Sequence, residues 1–309
     1  MTGIVDAEGV TKRYGEVLGL NGFTATFSSG ITGLVGPNGA GKSTFFRLLA
    51  GQLRSDAGTL TLLGHPAWGQ GEFRRRVGYC PEGAAMFDWM TGEDFVTTLL
   101  RIDGFSRTDA IERAGRAISS VGLTDARERR IRVYSKGMRQ RIKLAQCIAH
   151  DPELILLDEP LNGVDPVGRA SLSALLRQLS HDGHHLIVSS HVLYEVERLT
   201  DQIVMISNGR TIAEGDIHRI RDLIDARPHV IELESPDPRG LARFLGSWDH
   251  VVSIEFLGTA RLRVLTRSPD AFYAALPELV VSQGITVRAV HSADDNLDAV
   301  FRYLSEGMR

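Results

Sequence analysis

Cysteine is scarce in this sequence, with only Cys80 and Cys147 among 309 residues. Two thiols without a CxxC spacing exclude a disulfide scaffold and a cysteine-rich zinc site, and are typical of reduced thiols in a cytoplasmic protein. The chain also lacks any run of about 20 apolar residues, the length that spans a bilayer. Residues 1–14 lack the apolar centre of a secretory signal peptide. If the protein works at a membrane, another chain must supply the membrane-spanning part.

A strong excess of one charge is also missing, because 35 Lys and Arg residues face 38 Asp and Glu residues, a net charge of −3. This balance excludes a globally basic nucleic-acid binder, although it does not exclude a local basic patch. The 43% of hydrophobic and 24% of charged residues are typical of a globular protein. A length of 309 residues favours two domains.

A glycine-rich segment at residues 36–44 reads Gly-Pro-Asn-Gly-Ala-Gly-Lys-Ser-Thr. The apolar run before it predicts a buried strand at 31–35, and residues 44–50 predict a helix, which is the context of a phosphate-binding loop. Glycine backbone lets N–H groups approach a triphosphate closely, and the helix N-terminus adds its dipole. Lys42 is expected to bridge the β- and γ-phosphates of ATP, and Ser43 to bind Mg²⁺. The predicted nucleotide-binding residues of the loop are Gly36, Asn38, Gly39, Ala40, Gly41, Lys42, Ser43 and Thr44.

Two adjacent carboxylates, Asp158 and Glu159, end the apolar run 154–157. Such a run predicts a parallel strand buried on both faces. After a phosphate-binding loop, Asp158 is placed to bind Mg²⁺ directly or through water, and Glu159 to polarise the attacking water. The alternative, a strand that simply ends in a solvated acidic turn, is less favoured once the loop is taken into account.

A third segment, Tyr134-Ser-Lys-Gly-Met138, opens a predicted helix that runs to about residue 150. Ser135 and the N–H group of Gly137 therefore lie at a helix N-terminus, which is a favourable place for a phosphate group.

Together the three segments resemble the ATP-binding cassette (ABC) family over about residues 4–216. In that family the position of Tyr14 carries the aromatic ring that stacks on adenine, and His191 matches the histidine that contacts the γ-phosphate. The loop 162–165 matches the one that crosses to a partner subunit, which adds Asp165 to the predicted nucleotide site. The resemblance implies an ATPase whose catalytic residues are Glu159, His191 and Lys42.

The resemblance further implies a dimer in which each ATP lies between loop 36–44 of one subunit and segment 134–138 of the other. Ser135 and Gly137 would then act in the partner's site, and a homodimer is favoured over a heterodimer. An integral membrane permease is the other implied partner, contacted through about residues 82–95. Within that range Phe87, Trp89 and Met90 are interpreted as partner contacts, with packing inside the chain as the alternative.

Two positions depart from the family pattern. Lys136 stands in a segment that usually reads Leu-Ser-Gly-Gly-Gln, and it either adds positive charge near the γ-phosphate or faces solvent. Glu82 replaces a glutamine, and since carboxylates bind Mg²⁺ well it is predicted to join Ser43 and Asp158 as a metal ligand. These departures resemble the export-type subset with a separate permease, often for drugs, polysaccharides or lipids, which tends to carry a C-terminal extension.

The predicted fold class is α/β: a P-loop ABC cassette in residues 1–216, with a mixed-sheet core and a helical subdomain at about 85–150. The helical subdomain is predicted from two helix N-caps, Thr91 and Ser106, each followed by apolar residues at helical spacing. Residues 217–309 predict a polar helix at 217–226, a βαββαβ order through residue 290 and a final helix at 295–305. That order indicates a small α+β ferredoxin-like domain.

The sequence thus predicts an ATP-hydrolysing subunit that powers export and lies on the cytoplasmic face of the cell membrane through its permease, with no nucleic-acid partner. A soluble ABC-type ATPase acting on ribosomes or DNA is the main rival. Such proteins usually carry two cassettes or long coiled-coil insertions, and neither is present here. In a third interpretation, the C-terminal region performs a regulatory function while ATP turnover is slow. The transported substrate stays open, because its specificity would lie in the permease.

Overall fold

The computed structural model describes residues 3–68, 75–83, 86–217, 220 and 228–292. The chain divides into two compact units, Met1–Asp216 and Ile217–Arg309. Within the described ranges, no helix combines the length and the apolar character needed to cross a membrane. Of the predicted helix 217–226 only residues 217 and 220 are described, and the predicted helix 295–305 lies outside the described residues.

The first unit contains two β-sheets. One is antiparallel with strand order β2-β1-β4-β5, and the other has the order β10-β9-β3-β8-β7-β6. In the second sheet all neighbours are parallel except the hairpin of β9 and β10, so the predicted mixed-sheet core is confirmed. The strands are β1 (Val5–Tyr14), β2 (Val17–Phe27), β3 (Ile31–Val35), β4 (Ala57–Leu62), β5 (His65–Pro66), β6 (Val77–Cys80), β7 (Leu154–Leu157), β8 (His185–Ser190), β9 (Gln202–Ser207) and β10 (Arg210–Asp216).

Six α-helices of this unit are described, and three of them form the predicted helical subdomain. Thr91 and Ser106 cap two of these as expected, because each hydroxyl accepts a hydrogen bond from the main-chain N–H three residues later. The first helix begins at Lys42 rather than at residue 44, since Gly41 is its N-cap. The helices are α1 (Lys42–Leu49), α2 (Gly92–Ile102), α3 (Arg107–Ser120), α4 (Lys136–Ile148), α5 (Pro166–His181) and α6 (Leu193–Glu197).

Apolar packing fixes α1 between the two sheets. The ring of Phe45 on α1 lies 4.8 Å from that of Phe23 and 5.3 Å from that of Phe27, centroid to centroid, and all three side chains are buried. A second cluster joins α2, α3 and α4 to the other face of the large sheet. Because α1 carries the end of loop 36–44, this packing sets the position of the loop.

The second unit has the βαββαβ order that the sequence predicts. Its antiparallel sheet has the order β12-β13-β11-β14, and its core contains Leu233, Leu262 and Phe272. The elements are β11 (His229–Glu234), α7 (Pro238–Leu245), β12 (Val251–Leu257), β13 (Arg261–Thr266), α8 (Pro269–Gln283) and β14 (Ala289–Ser292).

Two details of this unit differ from the prediction. The last strand, predicted to end at residue 290, is present as β14 but begins at Ala289, where pairing with β11 starts, and Ile285 and Val287 before it pack against the core. Apolar and polar residues alternate along β12, as in a strand buried on one face, but Val252 is 45% and Phe256 51% exposed. This strand lies at the sheet edge and its register shifts between residues 251 and 253.

Candidate functional site

Loop 36–44 connects β3 to α1, and two of its glycines lie where no side chain fits. A Cβ atom on Gly36 would lie 2.3 Å from the Ile206 carbonyl oxygen, and one on Gly41 would lie 2.5 Å from the Gly19 carbonyl oxygen. Gly41 also has a φ of 112°, which residues with a side chain rarely adopt. The loop can therefore turn sharply into α1, whose first N–H groups have no helical acceptor and suit a phosphate.

Lys42 and Glu159 form a buried ion pair beside this loop, each 6% exposed. Lys42 Nζ lies 3.1 Å from Glu159 Oε1 and donates hydrogen bonds to the carbonyl oxygens of Gly36 at 2.5 Å and Pro37 at 3.3 Å. The contact with Oε1 is ionic, since this oxygen accepts no hydrogen bond from the described residues. The ammonium thus sits where phosphate oxygens would compete for it.

His191 completes this arrangement from the end of β8. Its Nδ1 lies 2.9 Å from Glu159 Oε2, and because an ionised carboxylate only accepts hydrogen bonds, Nδ1 is the donor. The three predicted catalytic groups, which come from α1, the end of β7 and the end of β8, therefore form one continuous chain of contacts. An ammonium, a carboxylate and an imidazole in this order can bind phosphate, orient water and exchange a proton.

The backbone of Glu159 is unusual, with a φ of 51° in the left-handed region. Its N–H donates to Ser189 Oγ at 2.9 Å, and the same hydroxyl donates to Asp158 Oδ1 at 2.7 Å. Ser189 is completely buried, so one hydroxyl orients both carboxylate-bearing residues. This role was not predicted from the sequence, where the signal was a hydroxyl residue near the end of an apolar strand, two positions before His191.

A cavity of about 470 Å³ opens along the loop. Tyr14 is 42% exposed at its rim, and its ring packs against Gly19, where a Cβ atom would lie 2.7 Å from it and 3.1 Å from Thr44 Oγ1. An exposed ring beside a phosphate-binding loop is suited to stacking on a base. The lining contains most of the predicted nucleotide residues, namely Tyr14, Asn38, Gly39, Ala40, Gly41, Lys42, Ser43 and Thr44. The predicted metal ligands Glu82 and Asp158 and the predicted catalytic Glu159 also line it.

Three oxygen donors that the sequence assigns to Mg²⁺ lie together. Ser43, Glu82 and Asp158 line both this cavity and a second one of about 470 Å³. Hard cations prefer oxygen ligands, and Mg²⁺ at nucleotide sites uses few protein ligands together with phosphates and waters. The described residues contain no group of three His, Cys, Asp or Glu side chains able to hold a metal alone. The residues present therefore fit Mg²⁺.

Beside the second cavity, burial raises the pKa of Tyr79 to about 12, and the nearby Asp158 carboxylate acts in the same direction. The phenol therefore stays protonated at neutral pH. Arg47 and Gln52 also line this cavity and add polar groups to it.

Of the predicted nucleotide residues, Gly36, Ser135, Gly137 and Asp165 do not line the cavity of their own chain. Ser135 caps α4 by accepting from the N–H of Met138, and Asp165 caps α5 by accepting from the N–H of Gly168, which lowers the pKa of that carboxyl. A Cβ atom on Gly137 would have only Ser135 Oγ nearby, at 4.0 Å. Segment 134–138 is thus well formed and open, but the structure does not bring it to loop 36–44.

The two departures from the family pattern contact the loop 162–165. Glu82 Oε1 accepts a hydrogen bond from Asn162 Nδ2 at 2.9 Å. Lys136 is exposed, and its side chain lies against Gly163. A Cβ atom on Gly163 would be 1.7 Å from the ammonium nitrogen of Lys136. A side chain at 163 would therefore displace Lys136.

The range 82–95 carries an exposed aromatic pair. Phe87 is 51% and Trp89 70% exposed, and their ring centroids lie 6.1 Å apart. Arg139 of α4 pairs with Asp88 between them at 2.6 Å. Met90 is only 8% exposed and belongs to the core of the helical subdomain, so its interpretation as a partner contact was wrong. We call Phe87 and Trp89 the aromatic patch.

Comparisons with known proteins identify the same family that the sequence motifs resemble. The model of the ABC transporter family matches residues 20–162. The daunorubicin/doxorubicin resistance ATP-binding protein DrrA of Streptomyces peucetius is 32% identical, over 98% of this chain and 93% of that protein. The Nod factor export ATP-binding protein I of Rhizobium sp. (strain N33) is 32% identical, over 86% of this chain and 93% of its own length.

Solved structures give the same fold. An ATP-binding subunit of an ABC transporter is 26% identical with a TM-score of 0.64, over 72% of this chain and 93% of that one. An ABC transporter cassette in its ADP conformation has a TM-score of 0.64 at 21% identity, over 80% of this chain and the whole of that one. The predicted cassette fold is therefore confirmed.

Proposed function

Since the chain belongs to the ABC transporter family as an ATP-binding, ATP-hydrolysing subunit, we propose that it powers export of a small molecule through a separate membrane permease. One observation carries the ATPase site: Lys42, Glu159 and His191 form a chain of contacts beside loop 36–44, and Lys42 and Glu159 line the cavity there. Export is the direction that the names of the two relatives above suggest, since one confers drug resistance and the other serves Nod factor export.

In this proposal Lys42 exchanges its contacts with Gly36 and Glu159 for the β- and γ-phosphates of ATP. Release from Lys42 leaves the Glu159 carboxylate free to accept a hydrogen bond from the attacking water. His191 contacts the γ-phosphate and, through Nδ1, orients Glu159. Tyr14 stacks on adenine, and Gly36, Asn38, Gly39, Ala40, Gly41, Ser43 and Thr44 surround the phosphates.

We assign Ser43, Glu82 and Asp158 to Mg²⁺, which supplies charge neutralisation for the phosphates. The support is that all three line the two cavities that meet at the end of β6 and β7. Ser189 fixes the direction of the Asp158 carboxylate, while Asn162 fixes that of Glu82. Such supporting hydrogen bonds commonly hold metal ligands in place.

We further propose that two copies of the chain form the nucleotide-sandwich dimer. Ser135, Gly137 and Asp165 lie outside the cavity of their own chain, at two helix N-termini whose positive dipole ends favour a phosphate. In the dimer they would complete the site of the partner. ATP binding would close the dimer and hydrolysis would reopen it, and this motion would be passed to the permease. Contact with the permease would hold the subunit on the cytoplasmic face of the membrane.

The aromatic patch is our candidate for the permease contact. Large exposed aromatic side chains at the centre of a contact commonly contribute most of the binding energy. Asp88, which separates the two rings in the chain, is tied by its ion pair to Arg139 on the helix that Ser135 caps. A movement of α4 on nucleotide binding would therefore reach the patch directly.

Replacing Phe87 and Trp89 together by serine should reduce co-purification of the permease by about 30-fold or more, because loss of a central aromatic contact costs about 2 kcal/mol or more. ATP affinity of the isolated subunit should not change, since neither residue lines the cavity. The measurement is quantitative mass spectrometry of a polytopic membrane protein bound to the tagged chain in detergent.

The matched control is Ile102→Ser, which removes a side chain of similar exposure, 74%, from the same subdomain. Equal recovery of the membrane protein with the control and with the double variant would contradict the contact. Recovery of ribosomes or DNA instead of a membrane protein would contradict the transport proposal itself and favour the rival function.

A further inference from the structure

Lys143 of α4 is buried, only 7% exposed, although it carries a charge. Its ammonium donates hydrogen bonds to the carbonyl oxygens of Pro81 at 3.1 Å and Glu82 at 2.8 Å. Within the described residues it forms no ion pair with a carboxylate. The charge is therefore balanced by the main chain of the segment that follows β6.

A role in packing alone does not account for this lysine. Its neighbours in sequence, Ile142 and Leu144, are also buried, so an apolar residue would fill the position at lower desolvation cost. Burial of a cation is unfavourable unless specific hydrogen bonds satisfy it. The bonds that satisfy Lys143 all go to the segment carrying one predicted Mg²⁺ ligand.

The residues of α4 that contact the segment 81–88 are spaced so that they lie on one face of the helix. Ser135, Arg139 and Lys143 are separated by four residues each, so they lie along one face of the helix. From the N-terminus onward this face presents the cap, then the ion pair with Asp88, then the two bonds to Pro81 and Glu82. The helix is thus bonded to both ends of the segment 81–88.

Glu82 is fixed from two sides by these contacts. Lys143 binds its carbonyl oxygen, and Asn162 binds its carboxylate. Rotation of the main chain at 82 would move the carboxylate away from the cavity that it shares with Ser43 and Asp158. The position of the carboxylate therefore depends on Lys143.

We propose that Lys143 is a positioning residue for Mg²⁺: its two bonds fix the main chain at Glu82, and they tie the placement of that carboxylate to the helix capped by Ser135. This rests on the proposed function, in which Glu82 is a Mg²⁺ ligand. Nucleotide contact at the N-terminus of α4 and metal binding at Glu82 are then linked through one helix.

The test compares four full-length variants: Lys143→Met, Glu82→Ala, the double variant, and Arg116→Met as control, whose ion pair with Glu112 is exposed. The readout is the free Mg²⁺ concentration that gives half of the rise in Tm caused by a non-hydrolysable ATP analogue. A second readout is the analogue's affinity in EDTA, which reports on loop 36–44 without the metal.

Lys143→Met should raise the half-saturating Mg²⁺ concentration about tenfold, as loss of a partner that supports a metal ligand commonly does. Affinity in EDTA should not change, and the control should behave as the wild type. The double variant should need no more Mg²⁺ than Glu82→Ala alone, because Lys143 acts through Glu82. If Lys143→Met yields no folded protein, Lys143→Gln, which keeps an N–H donor, should show a smaller shift of the same sign.

Three results would overturn the proposal in separable ways. A wild-type Mg²⁺ requirement in the Lys143 variants, with a raised requirement in Glu82→Ala, would reject only the role of Lys143. Additive shifts in the double variant would show that Lys143 acts independently of Glu82, and would also reject it. An unchanged requirement in Glu82→Ala would reject the Mg²⁺ assignment of Glu82, and with it this inference.

Discussion

Lys42→Ala should lower the affinity for ATP by at least about 100-fold, because removing one partner of a buried charged contact costs about 3–5 kcal/mol. Lys42 is the buried cation at the loop, with its ammonium directed at the carbonyl oxygens of Gly36 and Pro37. Alanine at this position removes the cationic side chain that loop 36–44 directs at the phosphates. Isothermal titration calorimetry with ATP and Mg²⁺ measures the change.

Arg116→Ala is the control for Lys42→Ala, since it removes an exposed cation of the same unit. An ATP affinity of Lys42→Ala within a factor of about two of the wild type, below 0.5 kcal/mol, would reject the phosphate assignment. The same variant should also unfold more easily, because Glu159 loses its ionic partner while it stays buried.

Glu159→Gln should lower ATP turnover by about 100-fold or more, the usual contribution of a general base. The amide keeps the shape of the side chain but does not accept a proton from water. ATP should bind at least as tightly as before, since Lys42 no longer has an ionic partner that competes with phosphate. Single-turnover hydrolysis and calorimetry separate the two effects.

Glu153→Gln is the matched control for turnover, because Glu153 pairs with Arg76 at the surface, before β7 begins. Turnover of Glu159→Gln near the wild-type rate would show that another group orients the water. A parallel loss of affinity and turnover would indicate instead that Glu159 mainly supports the loop.

The fold was largely predictable because its signals are local. The runs at 31–35 and 154–157 coincide with β3 and β7, and Thr91 and Ser106 cap α2 and α3 as predicted. Boundaries set by distant packing were not predictable. The last strand begins at Ala289 because that residue pairs with Glu234, the last residue of β11.

In the site, the sequence identified residue types but not their contacts. Lys42, Glu159 and His191 lie far apart in the chain, and only the order of the parallel strands brings β7 and β8 side by side at the loop. The supporting groups Ser189 and Lys143 carry no motif, because a buried hydroxyl or ammonium is recognised only by what it binds. Met90 was misjudged for the same reason: an apolar residue in a loop can face either solvent or the core.

The central claim is that loop 36–44 forms half of a site whose other half is segment 134–138 of a second copy. The molar mass of Glu159→Gln, measured by light scattering during size exclusion with and without ATP, tests it most directly. The account predicts a monomer without ATP, a dimer with ATP, and loss of that dimer when Ser135→Arg is added, because the larger side chain blocks the helix N-terminus. A monomer in the presence of saturating ATP, or a dimer that tolerates Ser135→Arg, would contradict the account.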